Sequence, residues 1–133
     1  MAVFNDRIMF WLTRGLDAAS LRQRVLAHNL ANLNTPGFKR SSVSFEERLQ
    51  QARAAGQLPL ARTHERHLQP PSAAAEPQVI TEKHTARRLD GNNVDLEREM
   101  LELVENQLRY NAYIQQLNSR LDNWRVVINE GRR

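Results

Sequence analysis

Residues 95–129 read DLEREMLELVENQLRYNAYIQQLNSRLDNWRVVIN. Within them Leu96, Met100, Leu103, Gln107, Tyr110, Ile114, Leu117, Leu121, Trp124 and Ile128 recur at alternating intervals of four and three, with Gln107 the one plainly polar member. A helix with this spacing carries a lengthwise apolar seam and packs along another helix. Its length is about 52 Å at a rise of 1.5 Å per residue. Asp95 suits the N-cap, and Glu97 and Glu99 in the first turn complement the helix dipole. Gly131 followed by Arg132 and Arg133 suits the other end.

The partner seam lies at the amino terminus. In residues 5–33, Met9, Leu12, Leu16, Ala19, Gln23, Leu26, Leu30 and Leu33 repeat the alternation of three and four. This predicts a second long helix, about 43 Å in length. Each seam holds one glutamine. Setting Gln23 against Gln107 in an antiparallel hairpin makes facing residue numbers sum to 130. That register puts Leu30 on Met100, Leu16 on Ile114 and Met9 on Leu121, and leaves Trp124 and Ile128 facing the segment around Phe4. The expected fold is mainly α: two long antiparallel heptad-patterned terminal helices, a coiled-coil hairpin, joined by a long and mostly irregular connector.

All five prolines fall in that connector, residues 34–94: Pro36, Pro59, Pro70, Pro71 and Pro77. Proline interrupts helices and central strands, so the segment reads as loop or extended chain. One island differs. Ser44-Phe45-Glu46-Glu47 has the form of a capping box and Gly56 follows, predicting a short helix at 45–55 with Phe45, Leu49 and Ala52 on one face. Gln78–Glu82 reads as a weak strand. The chain thus divides into an amino-terminal helix at 5–33, a connector at 34–94 and a carboxy-terminal helix at 95–129. A connector of this length is more often functional, or ordered by a partner, than idle.

A two-helix hairpin leaves apolar rows outside its seam: Ile8, Trp11, Ala18 and Val25 on the first helix, and Leu101, Val104, Leu108 and Ala112 on the second. Exposed rows of this kind mark contacts with other chains. The chain reads as a subunit whose helices complete their core with neighbours.

Composition narrows the chemistry. There is no cysteine among the 133 residues, which excludes disulfides, thiolate catalysis and Cys-based zinc sites. The uncharged run Ile8–Thr13, between Arg7 and Arg14, is too short for a membrane span or a secretory signal. The expectation is a chain that stays in the cytosol or leaves without a cleaved signal. Lys and Arg number 19 against 15 Asp and Glu, a formal charge of +4. The excess lies in residues 1–40, which suits nucleic acid or an acidic partner, but the signs mix along the helical stretches as on a solvated face. His64 and His67 stand three apart in a proline-rich stretch, not four apart on a helix, and do not make a metal site. Glu99, Glu102 and Glu105 read as solvated charges or as partners for arginines of a neighbour. Nothing has the form of a nucleophile elbow, a phosphate loop or a triad. No enzyme, cofactor or small-molecule substrate is expected.

The most specific string is Asn29-Leu30-Ala31-Asn32-Leu33-Asn34-Thr35-Pro36-Gly37-Phe38-Lys39-Arg40. Locally it is a helix stop and a turn. Pro36-Gly37 suits the centre of a type II turn, Thr35 is pushed out of the helical region, and Asn32 and Asn34 suit the cap. As a whole it resembles the Asn-Ile-Ala-Asn-x-Asn-Thr-Pro-Gly-Tyr-Lys-Arg signature of the bacterial flagellar axial proteins, the rod, hook and hook-associated family, with Leu30 for Ile and Phe38 for Tyr. Asp90-Gly91-Asn92-Asn93-Val94-Asp95-Leu96-Glu97-Arg98-Glu99-Met100 and the following Glu105–Tyr110 are similar to the carboxy-terminal region of the proximal-rod members. The short chain length points the same way.

The resemblance implies a structural subunit exported by the flagellar type III apparatus without a cleaved signal and assembled in the periplasm into a hollow helical rod. There it would transmit torque and surround the export channel. The terminal helices would pair to form the inner layer. The implied partners are copies of itself, the other rod proteins, and the basal adaptor and membrane-ring proteins, with no nucleic acid. On this reading the residues that matter are the turn (Asn29, Asn32, Asn34, Thr35, Pro36, Gly37, Phe38) and the second cap (Asn93, Asp95). To these are added the seam and outer rows: Ile8, Trp11, Leu12, Leu16, Val25, Leu26, Leu30, Met100, Leu101, Val104, Leu108, Tyr110, Ile114, Leu117, Leu121 and Trp124. The alternatives are a basic helical nucleic-acid-binding module and a cytosolic coiled-coil adaptor.

Overall fold

The structure, a computed structural model, describes residues 7–54 and 76–129. Phe4, the His64–His67 pair and the Gly131 terminus lie outside them. Five elements follow in order: α1 (Arg7–Ala31), β1 (Ser41–Ser44), α2 (Glu46–Ala54), β2 (Gln78–Thr81) and α3 (Leu96–Ile128). No described helix is long and apolar enough to cross a membrane.

The long helices α1 and α3 pack together and run in opposite directions. The ring of Tyr113 lies over Gly15, Asn106 reaches Ala19 and Gln23, and Glu99 reaches Asn29. The contact begins with small residues. Ala18 and Ala19 are buried, and Gly15 has no side chain to hold the Tyr113 ring away. Leu12 and Leu26 fill the remainder of the α1 face.

The pairing differs from the expected register by a short slip. Gly15–Tyr113 and Asn29–Glu99 each sum to 128, where the expected register sums to 130. Gln23 therefore meets Asn106, the neighbour of Gln107. The α3 face also turns by about one residue. Glu99 and Asn106 are the buried members of α3, while Met100, expected opposite Leu30, is 47% exposed. The physical reason is polar. Glu99 and Asn106 have hydrogen-bond partners on or beside α1, and satisfying buried polar groups outweighs burying one more methionine.

The connector holds more structure than its prolines suggest. β1, not anticipated from the sequence, pairs antiparallel with β2 in the register Ser41–Thr81, Ser42–Ile80, Val43–Val79 and Ser44–Gln78. The Glu82 N–H donates to the Arg40 carbonyl at 2.9 Å and extends the ladder by one rung. Val43 points inward to the core, with Phe45 beside it. The α2 helix starts at Glu46, and its first backbone bond runs from Leu49 N–H to Phe45 C=O at 2.9 Å. Ser44 and Glu47, the ends of the expected capping box, meet side chain to side chain at 3.5 Å. Glu46 joins three elements: it accepts from Arg22 of α1 at 2.7 Å and from Arg109 of α3 at 3.5 Å.

Candidate functional site: a polar clasp between two motif stretches

The two stretches singled out in the sequence lie 50 to 60 residues apart in the chain and meet in space. Between them, under the end of α1, sits a cluster of buried polar side chains: Asn29, Arg40, Asn92, Asn93 and Glu99.

The cluster begins with the end of α1. A helix leaves its last carbonyls without intrahelical donors. Asn32 turns back on its own helix, its amide donating to His28 C=O at 2.9 Å. The next carbonyls are met from the far stretch: the Asn92 amide lies 3.1, 3.0 and 2.9 Å from the oxygens of Asn32, Leu33 and Thr35. Asn92 Oδ1 accepts from Val94 N–H at 2.7 Å, so both ends of its side chain are used. Arg88 adds a bond to the Leu33 carbonyl at 3.1 Å and one to Asn34 Oδ1 at 3.5 Å.

The turn follows. Phe38 N–H donates to Thr35 C=O at 3.3 Å across Pro36-Gly37, and Gly37 has φ 72°. These are the closing bond and the left-handed residue of a type II turn. Gly37 N–H donates to Asp90 C=O at 2.9 Å, joining the turn to the second stretch. Lys39 Nζ donates to the carbonyls of Gly91 and Thr85 at 2.7 and 2.8 Å. Thr35 bonds Asn32 Oδ1 at 3.2 Å, and the Phe38 ring lies 5.4 Å from that of His28. Pro36 and Gly37 are exposed.

Arg40 occupies the centre. Its guanidinium bonds Glu99, reaches Glu82 at 2.6 Å and reaches Glu102 at 2.5 Å, with 2% of its side chain exposed. Its backbone N–H donates to Asn93 Oδ1 at 2.6 Å. The Asn93 amide continues to Glu82 C=O and Thr85 Oγ1 at 3.0 and 2.7 Å. Burial alone lowers the affinity of Arg40 for its proton. The Glu99 hydrogen bond, the charges of Glu99 and Glu102, and the Glu82 bond outweigh it, so its pKa is raised. Asn29 closes the other side of Glu99. Its amide donates to Glu99 Oε2 at 2.9 Å and to Ser41 C=O at 2.7 Å, and its oxygen accepts from Ser41 N–H at 3.0 Å. One asparagine thus mimics a strand, pairing both ways with the start of β1 while orienting the carboxylate.

These residues correct two expectations. Glu99 and Glu102 are neither solvated nor reserved for a neighbour's arginine, because the arginine they bind is Arg40 of the same chain. Glu105 is exposed beside Arg109. Asn93 does not cap α3. That position belongs to Asp95, whose side chain accepts from Glu97 N–H at 3.1 Å. Arg40, Glu82, Asn92 and Glu99 were missed as a set. The available signal was arginine and acid within two asparagine-rich strings, but no spacing rule links residues 59 apart.

The apolar positions divide. Leu12 and Leu26 are buried; Trp11, Leu16, Val25, Leu30, Ile114, Leu117, Leu121 and Trp124 are half-buried; Ile8 is exposed. Leu101, Val104 and Leu108 line the outer side of α3, with Leu108 65% exposed. Tyr110 stands at the edge of a groove of about 280 Å³ between α1 and α3. Among the described residues no group of acidic or histidine side chains is placed to hold a metal.

The model of the flagella basal body rod protein family matches residues 12–39, which span most of α1 and the turn. A flagellar basal body rod protein FlgB of Bacillus subtilis is 30% identical over 132 residues, covering 99% of this chain and all of the relative. The chain belongs to the FlgB family of flagellar basal body rod proteins. FlgB of Borrelia hermsii is 38% identical over 75% of this chain and 79% of its own, and FlgB of Borreliella burgdorferi 36% over 79% and 83%. The FlgB family is structural, not enzymatic, and the nucleic-acid and free-adaptor alternatives fall away. The clasp is accordingly a fold-defining site, with no reaction to perform.

Proposed function

We propose that this chain is a structural subunit of the proximal rod of the bacterial flagellar basal body. The observation that carries the reading is the FlgB likeness along the whole chain and the whole of the Bacillus subtilis relative. The subunit assembles in the periplasm after type III export. It packs against copies of itself, the other rod proteins, and the basal adaptor and membrane-ring proteins. In doing so it transmits torque and surrounds the export channel. The exposed rows Leu101, Val104 and Leu108 on α3 and Ile8 on α1 support this, because rows of that size on a helix pair call for neighbouring helices packed coiled-coil fashion. The clasp supports it differently. It fixes where α1 ends and α3 begins, and close-packed, fully bonded junctions resist twisting.

The test is deletion of the gene in its source organism with basal bodies viewed by electron microscopy. Membrane rings without rod or filament are expected, and restoration by the plasmid-borne gene. Intact rods and normal swimming in the deletion strain would refute the assignment.

A further inference from the structure

Leu89 is 111% exposed, yet the turn that carries it is bonded on several sides. Gly91 N–H donates to Arg88 C=O at 3.0 Å and closes a β-turn with Leu89 and Asp90 at its centre. Gly91 takes φ 82°, and Asp90 Oδ1 accepts from Asn92 N–H at 3.0 Å. The N–H groups of Arg87 and Arg88 donate to Asn92 C=O at 3.0 and 3.1 Å. Gly37 N–H and the Lys39 ammonium tie the same turn to the clasp through the carbonyls of Asp90 and Gly91. A single exposed apolar residue is ordinary. A leucine held outward by a turn this well bonded differs, because the ordering entropy is lost before any partner arrives.

The outer side of α3 has the complementary shape. Leu101, Val104, Glu105 and Leu108 stand at positions i, i+3, i+4 and i+7, the four corners of the hole that receives a knob in helix packing. All four are exposed, the apolar three at 62, 54 and 65%. Charge then sets the orientation. Arg88, next to Leu89, bonds Leu33 C=O and Asn34 Oδ1 and meets no carboxylate among the described residues. Glu105, at a corner of the hole, is held by Arg109 at 3.7 Å, an exposed pair that yields at little cost. Neither surface suits itself. Two turns would meet leucine tip to leucine tip with their arginines opposed, and two holes would oppose their glutamates.

We propose that Leu89 of one copy of this chain inserts into the Leu101–Val104–Glu105–Leu108 hole of the next copy, with Arg88 on Glu105. Knob and hole are different surfaces, so the contact runs head to tail. Each copy places its knob on one neighbour and offers its hole to another, and the array grows as a helix or ring instead of stopping at a dimer. The inference rests on the structural-subunit reading above and names one contact between copies that the reading leaves open.

The absence of cysteine removes background thiols from the test. Leu89→Cys and Val104→Cys expressed as separate chains can bond only between copies. In basal bodies purified from cells making both, a disulfide dimer is expected on non-reducing gels, and neither variant alone gives it. The two substitutions in one chain should give a ladder of larger species, because the contact repeats. Rods that contain the variants without the dimer overturn the interface and leave the rod assignment standing. A dimer without the ladder overturns the head-to-tail repeat. A chain absent from basal bodies even as wild type overturns both readings. A charge substitution provides the second measure. Leu89→Asp and Val104→Lys should each reduce swimming about tenfold, the order expected for one leucine left unburied, and together restore it. Both positions are exposed and outside the clasp, so the purified single variants keep the wild-type circular dichroism and unfolding midpoint. Normal swimming of either single variant, or failure of the pair to restore it, overturns the proposal even where the cysteine variants do not assemble.

Discussion

Arg40 and Glu99, 59 positions apart in the chain, form an ion pair in which neither side chain is more than 2% exposed. Breaking a buried pair by removing one partner strands the other charge. Arg40→Ala should destabilise the folded chain by about 3–5 kcal/mol. Arg40→Lys should recover little of this, because one ammonium cannot reproduce the fork that reaches Glu99, Glu82 and Glu102 together. Urea unfolding of the purified variants, followed by circular dichroism, measures both. A lysine variant as stable as wild type would show that only the charge matters.

Gly37 is open to solvent, so its role is conformational. A Cβ there meets nothing within 4 Å, yet φ is 72°. Gly37→Val should cost at least about 1–2 kcal/mol, since a β-branched residue resists the left-handed region. Gly37→Asn should be close to neutral, because asparagine tolerates it. Rods are expected with asparagine and not with valine, as judged by electron microscopy. Equal assembly of the two would place the importance of this glycine elsewhere.

Gly15 is a matter of space. A Cβ at that position would sit 2.9 Å from the Tyr113 ring, closer than side chains tolerate. Gly15→Val should destabilise the α1–α3 contact by about 1–3 kcal/mol, as overpacking does. Combining it with Tyr113→Ala should recover part of that loss. Thermal unfolding of the single and double variants measures the coupling, and strict additivity would contradict the contact.

Asn92 satisfies carbonyls at the end of a helix from which it is 60 residues distant. Asn92→Ala should release the oxygens of Asn32, Leu33 and Thr35 and cost about 1–3 kcal/mol. The local signature is faster amide hydrogen exchange in the last turn of α1, with the middle of that helix unchanged. Uniform acceleration along α1 would mean that the residue supports the whole pairing and not its end.

The pairing of two long terminal helices was legible because the intervals of three and four report it directly. The pairing geometry was not. The heptad count gives equal weight to every apolar position, so it selected Leu96 and Met100 over their neighbour Glu99. Only the location of Arg40 explains why a glutamate belongs inside. Likewise Gln23 invited pairing with the glutamine of the other seam, whereas its partner is Asn106, one residue earlier. Strand β1 was illegible for a related reason. Ser41-Ser42-Val43-Ser44 carries a single apolar residue, and what holds it is the amide of Asn29 and the ladder to β2. Polar partnerships across long sequence separations leave no periodicity behind.

The order in which the clasp can form has a consequence for a chain that emerges end first. Asn29, the turn and Arg40 lie in the first 40 residues, and every carboxylate that receives Arg40 lies between Glu82 and Glu102. Until that second stretch is free, the guanidinium has no counter-charge, and burying it is strongly unfavourable. The leading part of the chain is thereby kept from closing prematurely. Closure becomes downhill only once residue 102 is free, so a chain threaded amino end first, as the proposed export requires, would acquire its shape at the end of that passage and not during it.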